Sequence, residues 1–194
     1  MTKFFVLFLT LLLGACSSVP ISTTPRNAEN LCLIFKQQKG WYAASVATYK
    51  KWGVPIPVQM AIMHQESRFV ADAKPKPASG LFLGVIPWVR LSDAYGYPQA
   101  KDDTWRDYQK RTGNLFAQRD NFADACDFIG WYLNVSNQKL GIPKNDTRNL
   151  YLSYHEGWQG FQKQTYNQKT WLLNVANKVE QKARTFQQQL ANCR

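Results

Sequence analysis

Residues 170–192 place Leu172, Val175, Val179, Ala183, Phe186 and Leu190 at helical spacing on one stripe, with polar side chains elsewhere. A helix that long with one apolar face must lie against other elements, and the rest of the chain supplies helices. Residues 27–38 carry Leu31, Ile34 and Phe35 in register, and 41–52 carry Tyr42, Val46 and Tyr49 before Gly53. Pro57 can open the next helix at its first position, and Val58, Ala61, Ile62 and Phe69 form its apolar stripe. Further helices are expected from Asp103 or Thr104 to Lys110, from Asn121 through Phe122, Ala125, Cys126, Ile129 and Leu133, and after Asp146 until Gly157. No segment alternates as a strand does, so the fold class is mainly α. One stretch interrupts it: Pro75, Pro77, Gly80, Gly84 and Pro87 make residues 71–96 a long irregular loop, whose apolar part, 81–89, must be buried somewhere.

The start of the chain bears on its compartment. Lys3 precedes the apolar run 4–13, FFVLFLTLLL, too short for a membrane-spanning helix, which takes about 20 residues. Leu13-Gly14-Ala15-Cys16 resembles a bacterial lipobox, which implies removal of residues 1–15 as a signal peptide and lipidation of Cys16; the alternative is an ordinary secretory signal. Residues 16–26, rich in Ser, Thr and Pro, then form a tether to a domain spanning 27–194. In lipoproteins of this type a non-acidic residue beside the lipidated cysteine, here Ser17, is taken to favour the outer membrane, so the resemblance implies a lipid-anchored protein of the cell envelope at the periplasmic face of the outer membrane. In that oxidising space Cys32, Cys126 and Cys193 form an odd set. Cys32 and Cys193 lie near the two ends of the folded part and are expected to pair. The alternative is three free thiols.

The 24 Lys+Arg against 13 Asp+Glu give a net charge of +11, and the apolar share of 45% excludes a disordered chain. Such charge asks for an anionic partner. Nucleic acid would fit on charge alone, but export removes it, and much of the charge lies on solvated helix faces. With two histidines, no H-E-x-x-H and no C-x-x-C pair, no metal site and no cofactor are expected.

Residues 59–69, QMAIMHQESRF, hold the most informative group. Glu66 follows Ile62 by four and Val58 by eight positions, on the side of the apolar stripe. Burial there disfavours the charged form and raises the pKa, which is what a proton donor to a glycosidic oxygen needs near neutral pH. The plainer reading is a Glu paired with Arg68 or capped at the helix end.

His64-Gln65-Glu66-Ser67-Arg68-Phe69, then Gly96-Tyr97-Pro98-Gln99-Ala100, then Tyr151-Leu152-Ser153-Tyr154-His155-Glu156-Gly157 resemble the ordered motifs of lytic transglycosylases, in the goose-type lysozyme superfamily. The resemblance implies a lysozyme-like helical domain; the long loop after the catalytic helix departs from the commonest pattern of that family and suggests a subgroup with its own cleft wall, which decides between endo and exo action. It implies Glu66 as catalytic acid and Ser67, Tyr97, Gln99, Tyr154 and His155 as substrate-binding residues. Two positions depart from the usual pattern, Pro98 in the second motif and His155, where Asn is usual. The chemistry implied is cleavage between N-acetylmuramic acid and N-acetylglucosamine, with the muramyl C6 hydroxyl closing a 1,6-anhydro ring. The partner is then peptidoglycan, with the membrane held through the lipid, and the protein a monomer.

Two alternatives stand beside this. A goose-type lysozyme would hydrolyse the bond with a second carboxylate, for which Asp72, Asp93, Asp102, Asp103 and Glu156 are candidates. A non-catalytic envelope lipoprotein would only hold peptidoglycan. His155 and Glu156 could form a catalytic pair or a hydrogen-bonded support. Of Trp88, Tyr95, Tyr97 and Trp105, one or two are expected to touch glycan.

Overall fold

A computed structural model describes residues 24–75 and 92–193. The signal segment, Cys16, the tether to residue 23 and the loop section 76–91 with Trp88 lie outside the described residues. Seven α-helices occur among those described: α1, Leu31–Gln37; α2, Trp41–Trp52; α3, Ile56–Ser67; α4, Asp102–Thr112; α5, Phe122–Leu140; α6, Thr147–Gln162; and α7, Thr170–Asn192. Among the described residues the extended pairing is a single antiparallel bridge, Tyr95 with Ala100.

The ends of these helices follow local chemistry. Asn30, Asn121 and Asp146 cap α1, α5 and α6 by accepting hydrogen bonds from backbone N–H groups of the first turn. Gly53 and Gly141 close α2 and α5 in left-handed conformations. Pro57 occupies the second helical position of α3, after Pro55 and Ile56, not the first; its missing N–H costs nothing there, because the first turn has no intrahelical acceptors.

α3 is the axis of the fold. Its neighbours are α7, α2 and α5, while α6 lies between α5 and α7. The single apolar stripe expected for α3 is therefore replaced by burial almost all round, including Val58, Met60, Ala61, Ile62 and Met63. Beside it Trp41 stacks on Phe122 at 3.8 Å between ring centres, and Tyr97 stands edge-on to both. Among the described residues no helix is long and apolar enough to cross a membrane.

The backbone bends sharply at the end of α3 and within α6. α3 stops abruptly because Arg68 and Phe69 both take left-handed backbone, with φ of 50° and 62°. Such residues cost about 1–3 kcal/mol each, offset here by the full burial of Phe69 against Trp41 and His64. α6 continues past Gly157 to Gln162, contrary to the stop expected there, but Gly157 breaks its path with φ 74° and ψ 164°. A glycine meets that backbone without steric cost, so the chain turns at the cavity wall and resumes as helix.

The described ends of the chain are tied together. Cys32 and Cys193 form a disulfide with Cα atoms 5.4 Å apart, and Gln189 on α7 accepts from Leu31 N–H at 2.8 Å and donates to Glu29 C=O. Cys126 is free and buried, and burial pushes its thiol up to about 12.

Candidate active site

A cavity of about 400 Å³ opens where the end of α3, the 94–101 turn, α4, α5 and α6 meet. Its wall includes Glu66, Gln99, Lys101, Tyr132, Tyr154 and His155.

Glu66 stands in the last turn of α3, where the helix is still rigid and its far end has just been cut off by Arg68 and Phe69. Burial raises its pKa from 4.5 to about 8, against the opposing effect of a hydrogen bond from Tyr151. The carboxyl is therefore mostly protonated at neutral pH. An ion pair with Arg68 is not what holds it: Arg68 faces Glu29 at 3.6 Å, and Glu29 also binds His64 at 2.9 Å and Lys182. The N-terminal segment thus takes up the arginine that the plainer reading gave to Glu66.

Tyr151 lies on α6 and is buried. Its hydrogen bond favours the charged form of Glu66. Tyr151→Phe is accordingly expected to move the alkaline limb of the activity profile to higher pH, measured as the rate on purified sacculi from about pH 6 to 10, on either side of the Glu66 titration. An unmoved limb would show that Tyr151 does not touch the titrating carboxyl.

Gln99 is held by the turn of residues 96–100. Its backbone is left-handed, φ 48°, and its side-chain NH2 donates to Ala73 C=O at 2.8 Å and Gly96 C=O at 2.9 Å. With the amide nitrogen committed, its carbonyl oxygen is the atom left to meet a ligand in the cavity. The turn needs Gly96: a Cβ there would stand 2.3 Å from the Arg119 carbonyl oxygen, at φ 76°. Gly96→Ala should cost more than about 2 kcal/mol in a denaturant titration and loosen Gln99 with it.

Tyr154 fixes this turn from the other side. Its hydroxyl donates to Pro98 C=O at 2.6 Å, and its ring packs on Tyr132 and Phe128. Pro98, the unusual residue of the second motif, thus supplies a carbonyl and needs no N–H for this contact.

The remaining sequence candidates separate. Ser67 is buried outside the cavity lining, and its hydroxyl donates back to Met63 C=O at 3.2 Å. The substrate-binding role expected for Tyr97 is corrected: it is fully buried between Trp41 and Phe122, and a side chain without exposed surface cannot meet a sugar. Trp105 is likewise core, packed on Phe128 and Tyr108. Tyr95 is partly exposed but outside the lining, with its hydroxyl on Asp120. The aromatic wall is instead Phe128, Tyr132 and Tyr154: Tyr154 is where the motif resemblance expects it, whereas Phe128 and Tyr132 on α5 are not among the sequence candidates.

Of the five candidates for a second carboxylate, only Glu156 lines the cavity. Burial works against its charge, but Lys169 at 2.8 Å, the Thr165 hydroxyl and His155 outweigh it and hold the carboxyl at about 2. A group so acidic is a poor base at neutral pH. Asp102 is paired with Arg119 at 2.7 Å, Asp103 with Arg106, and Asp93 accepts from Asp102 N–H.

A family model described as transglycosylase SLT domain matches residues 4–193. The chain belongs to the transglycosylase SLT domain family. Its mainly helical, lysozyme-like fold and its peptidoglycan-directed lytic transglycosylase chemistry are those of the family. No curated protein and no solved structure matches it at a significant level.

Proposed function

We propose that this SLT domain cleaves the β-1,4 bond between N-acetylmuramic acid and N-acetylglucosamine, with Glu66 as the general acid and a 1,6-anhydromuramyl end as product. The observation that carries the reading is a carboxyl group in a cavity, held protonated near pH 7 by burial, while the other carboxylate of the wall, Glu156, is too acidic to activate water. Proton transfer from Glu66 to the glycosidic oxygen releases the 4-hydroxyl of N-acetylglucosamine. The carboxylate left behind is basic enough to assist attack by the C6 hydroxyl on C1. Substrate supplies the nucleophile, which places the reaction among the exceptions to the two-carboxylate scheme.

The domain also fits a lipid-anchored envelope protein, with residues 1–15 removed, Cys16 lipidated and the catalytic unit carried at the periplasmic face of the outer membrane. Its positive charge would concentrate a polymer whose peptide stems bear carboxylates.

The test is the mass of the products. The domain from residue 24 onward, incubated with purified sacculi, should release muropeptides one water lighter than those of a hydrolase. Products of full hydrolytic mass would make it a lysozyme, and no release would make it a binding protein. Labelled-lipid incorporation lost in Cys16→Ser would support the anchor, and incorporation retained by that variant would reject it.

A further inference from the structure

The cavity wall holds a second proton-transfer group that a single-carboxyl mechanism leaves unused. His155 lines the same cavity as Glu66 but comes from α6, one helical turn beyond Tyr151, whose hydroxyl reaches Glu66. The His155 and Tyr151 rings are 6.4 Å apart, so the imidazole stands in the neighbourhood of the carboxyl and on a different wall.

Its tautomer is fixed by its partner. Nδ1 of His155 lies 3.0 Å from Glu156 Oε1. Both Glu156 oxygens are bound by Lys169 Nζ at 2.8 Å, and Thr165 donates to one of them, so this carboxylate is ionised and can only accept. The proton therefore sits on Nδ1. The lone pair sits on Nε2, for which no hydrogen-bond partner occurs among the described residues. The side chain of Glu156 is 4% exposed, whereas that of His155 is 34% exposed. The carboxylate is thus locked in the wall and the imidazole is offered to the cavity, an arrangement that orients a base and stabilises the imidazolium it becomes.

We propose that His155 is a catalytic base of this site: its Nε2 accepts the proton of the muramyl C6 hydroxyl while Glu66 gives its own proton to the leaving oxygen. The proposal rests on the transglycosylase reading and reassigns the base step within it. One carboxyl cannot donate and accept at the same moment; two groups brought to one cavity from different helices can carry both transfers together. In that step the C1 to O4 bond breaks and the C1 to O6 bond forms. The Glu66 proton leaves on the 4-hydroxyl of N-acetylglucosamine, the C6 hydroxyl proton rests on Nε2, and solvent returns it to Glu66. Glu156 is a positioning residue, acting through His155.

The charged and titratable groups around the imidazole are Glu156 and Tyr151 on its own helix, Lys169 at the start of α7, Glu66 on α3 and Lys101 before α4, with the Thr165 hydroxyl and Trp171 completing the shell. His155→Asn should lower kcat on sacculi at least tenfold while KM changes by less than about threefold. Glu156→Gln, which no longer fixes the proton on Nδ1, should lower kcat in the same direction with KM likewise kept. The chain has two histidines, and in a nitrogen-15 histidine spectrum the one perturbed by Glu156→Gln is His155; wild type should show it protonated on Nδ1, and Glu156→Gln a mixture of tautomers. If His155→Asn fails to fold, the Glu156→Gln rate and the wild-type tautomer decide. Anhydro products released at the wild-type kcat by a folded variant, or an imidazole that carries its proton on Nε2, overturn the base and leave the transglycosylase intact. Products of full hydrolytic mass overturn the transglycosylase, and with it the C6 hydroxyl as the source of the proton.

Discussion

Replacing Glu66 by Gln is expected to reduce release of muropeptides by about 10²- to 10⁴-fold, the usual contribution of a positioned general acid. It should also make the protein more stable in alkali. Because burial raises the Glu66 pKa from 4.5 to about 8, the native state holds a proton across that interval that the unfolded chain has lost. Stability contributed by the protonated carboxyl is thus complete below pH 4.5 and declines as pH rises toward 8, at up to about 1.4 kcal/mol per unit. Gln keeps the shape of the neutral carboxyl and does not titrate. Wild type and Glu66→Gln should therefore melt together near pH 4.5 and separate by a few kcal/mol at about pH 9, the variant being the more stable; cavity water keeps the difference below the full interval. Melting curves that stay parallel at both pH values would show an ordinary carboxylate at position 66 and take the acid out of the mechanism. A loss of activity without the stability crossover would point to substrate binding through Glu66 in place of proton donation.

That residue shows what a sequence can and cannot reveal. Its position on an apolar helix face is legible from Val58 and Ile62, because helical period converts spacing into direction. How deep α3 runs is not. Periodicity describes one helix against an unspecified core, and α3 is packed on three others, so its stripe widens to nearly the whole circumference. The expectation for Tyr97 fails for a related reason: a motif gives the order of residues along a turn, but which side chains of that turn face the cavity depends on the left-handed backbone of Gln99 and on the contact of Gly96 with Arg119. Tyr151 is within reach of sequence, being four residues before His155 on one helix, yet its link to Glu66 is a contact between residues 85 positions apart and needs α6, packed on α5 and α7, to reach the end of α3. The Glu156 cluster is out of reach altogether, since Lys169 and Thr165 come round only through the break at Gly157 and the short 3-10 helix Thr165–Gln168.

Opening the disulfide should have the largest effect on stability. Cys32 and Cys193 close a loop with a sequence separation of 161, and in the chain-entropy model a constraint of that length is worth about 5 kcal/mol, less whatever the native geometry costs. At roughly 2–4 °C per kcal/mol for a domain of this size, Cys32→Ser with Cys193→Ser should melt about 10–20 °C below wild type. The competing ties between the same segments are weaker. Gln189 gives and accepts one backbone hydrogen bond each, worth about 1 kcal/mol apiece, and Glu29 joins His64, Arg68 and Lys182 largely at the surface. Cys126 should not interfere by mispairing, because its thiol is buried and held far from the thiolate. The consequence reaches the site through α7, which flanks both the helix bearing Glu66 and the helix bearing His155. The doubly substituted protein should therefore lose activity on heating in step with its lower melting point while keeping wild-type activity at low temperature. A melting point within about 2 °C of wild type, less than the shift expected from 1 kcal/mol, would show that packing of α1 on α7, and not the covalent link, holds the two ends together.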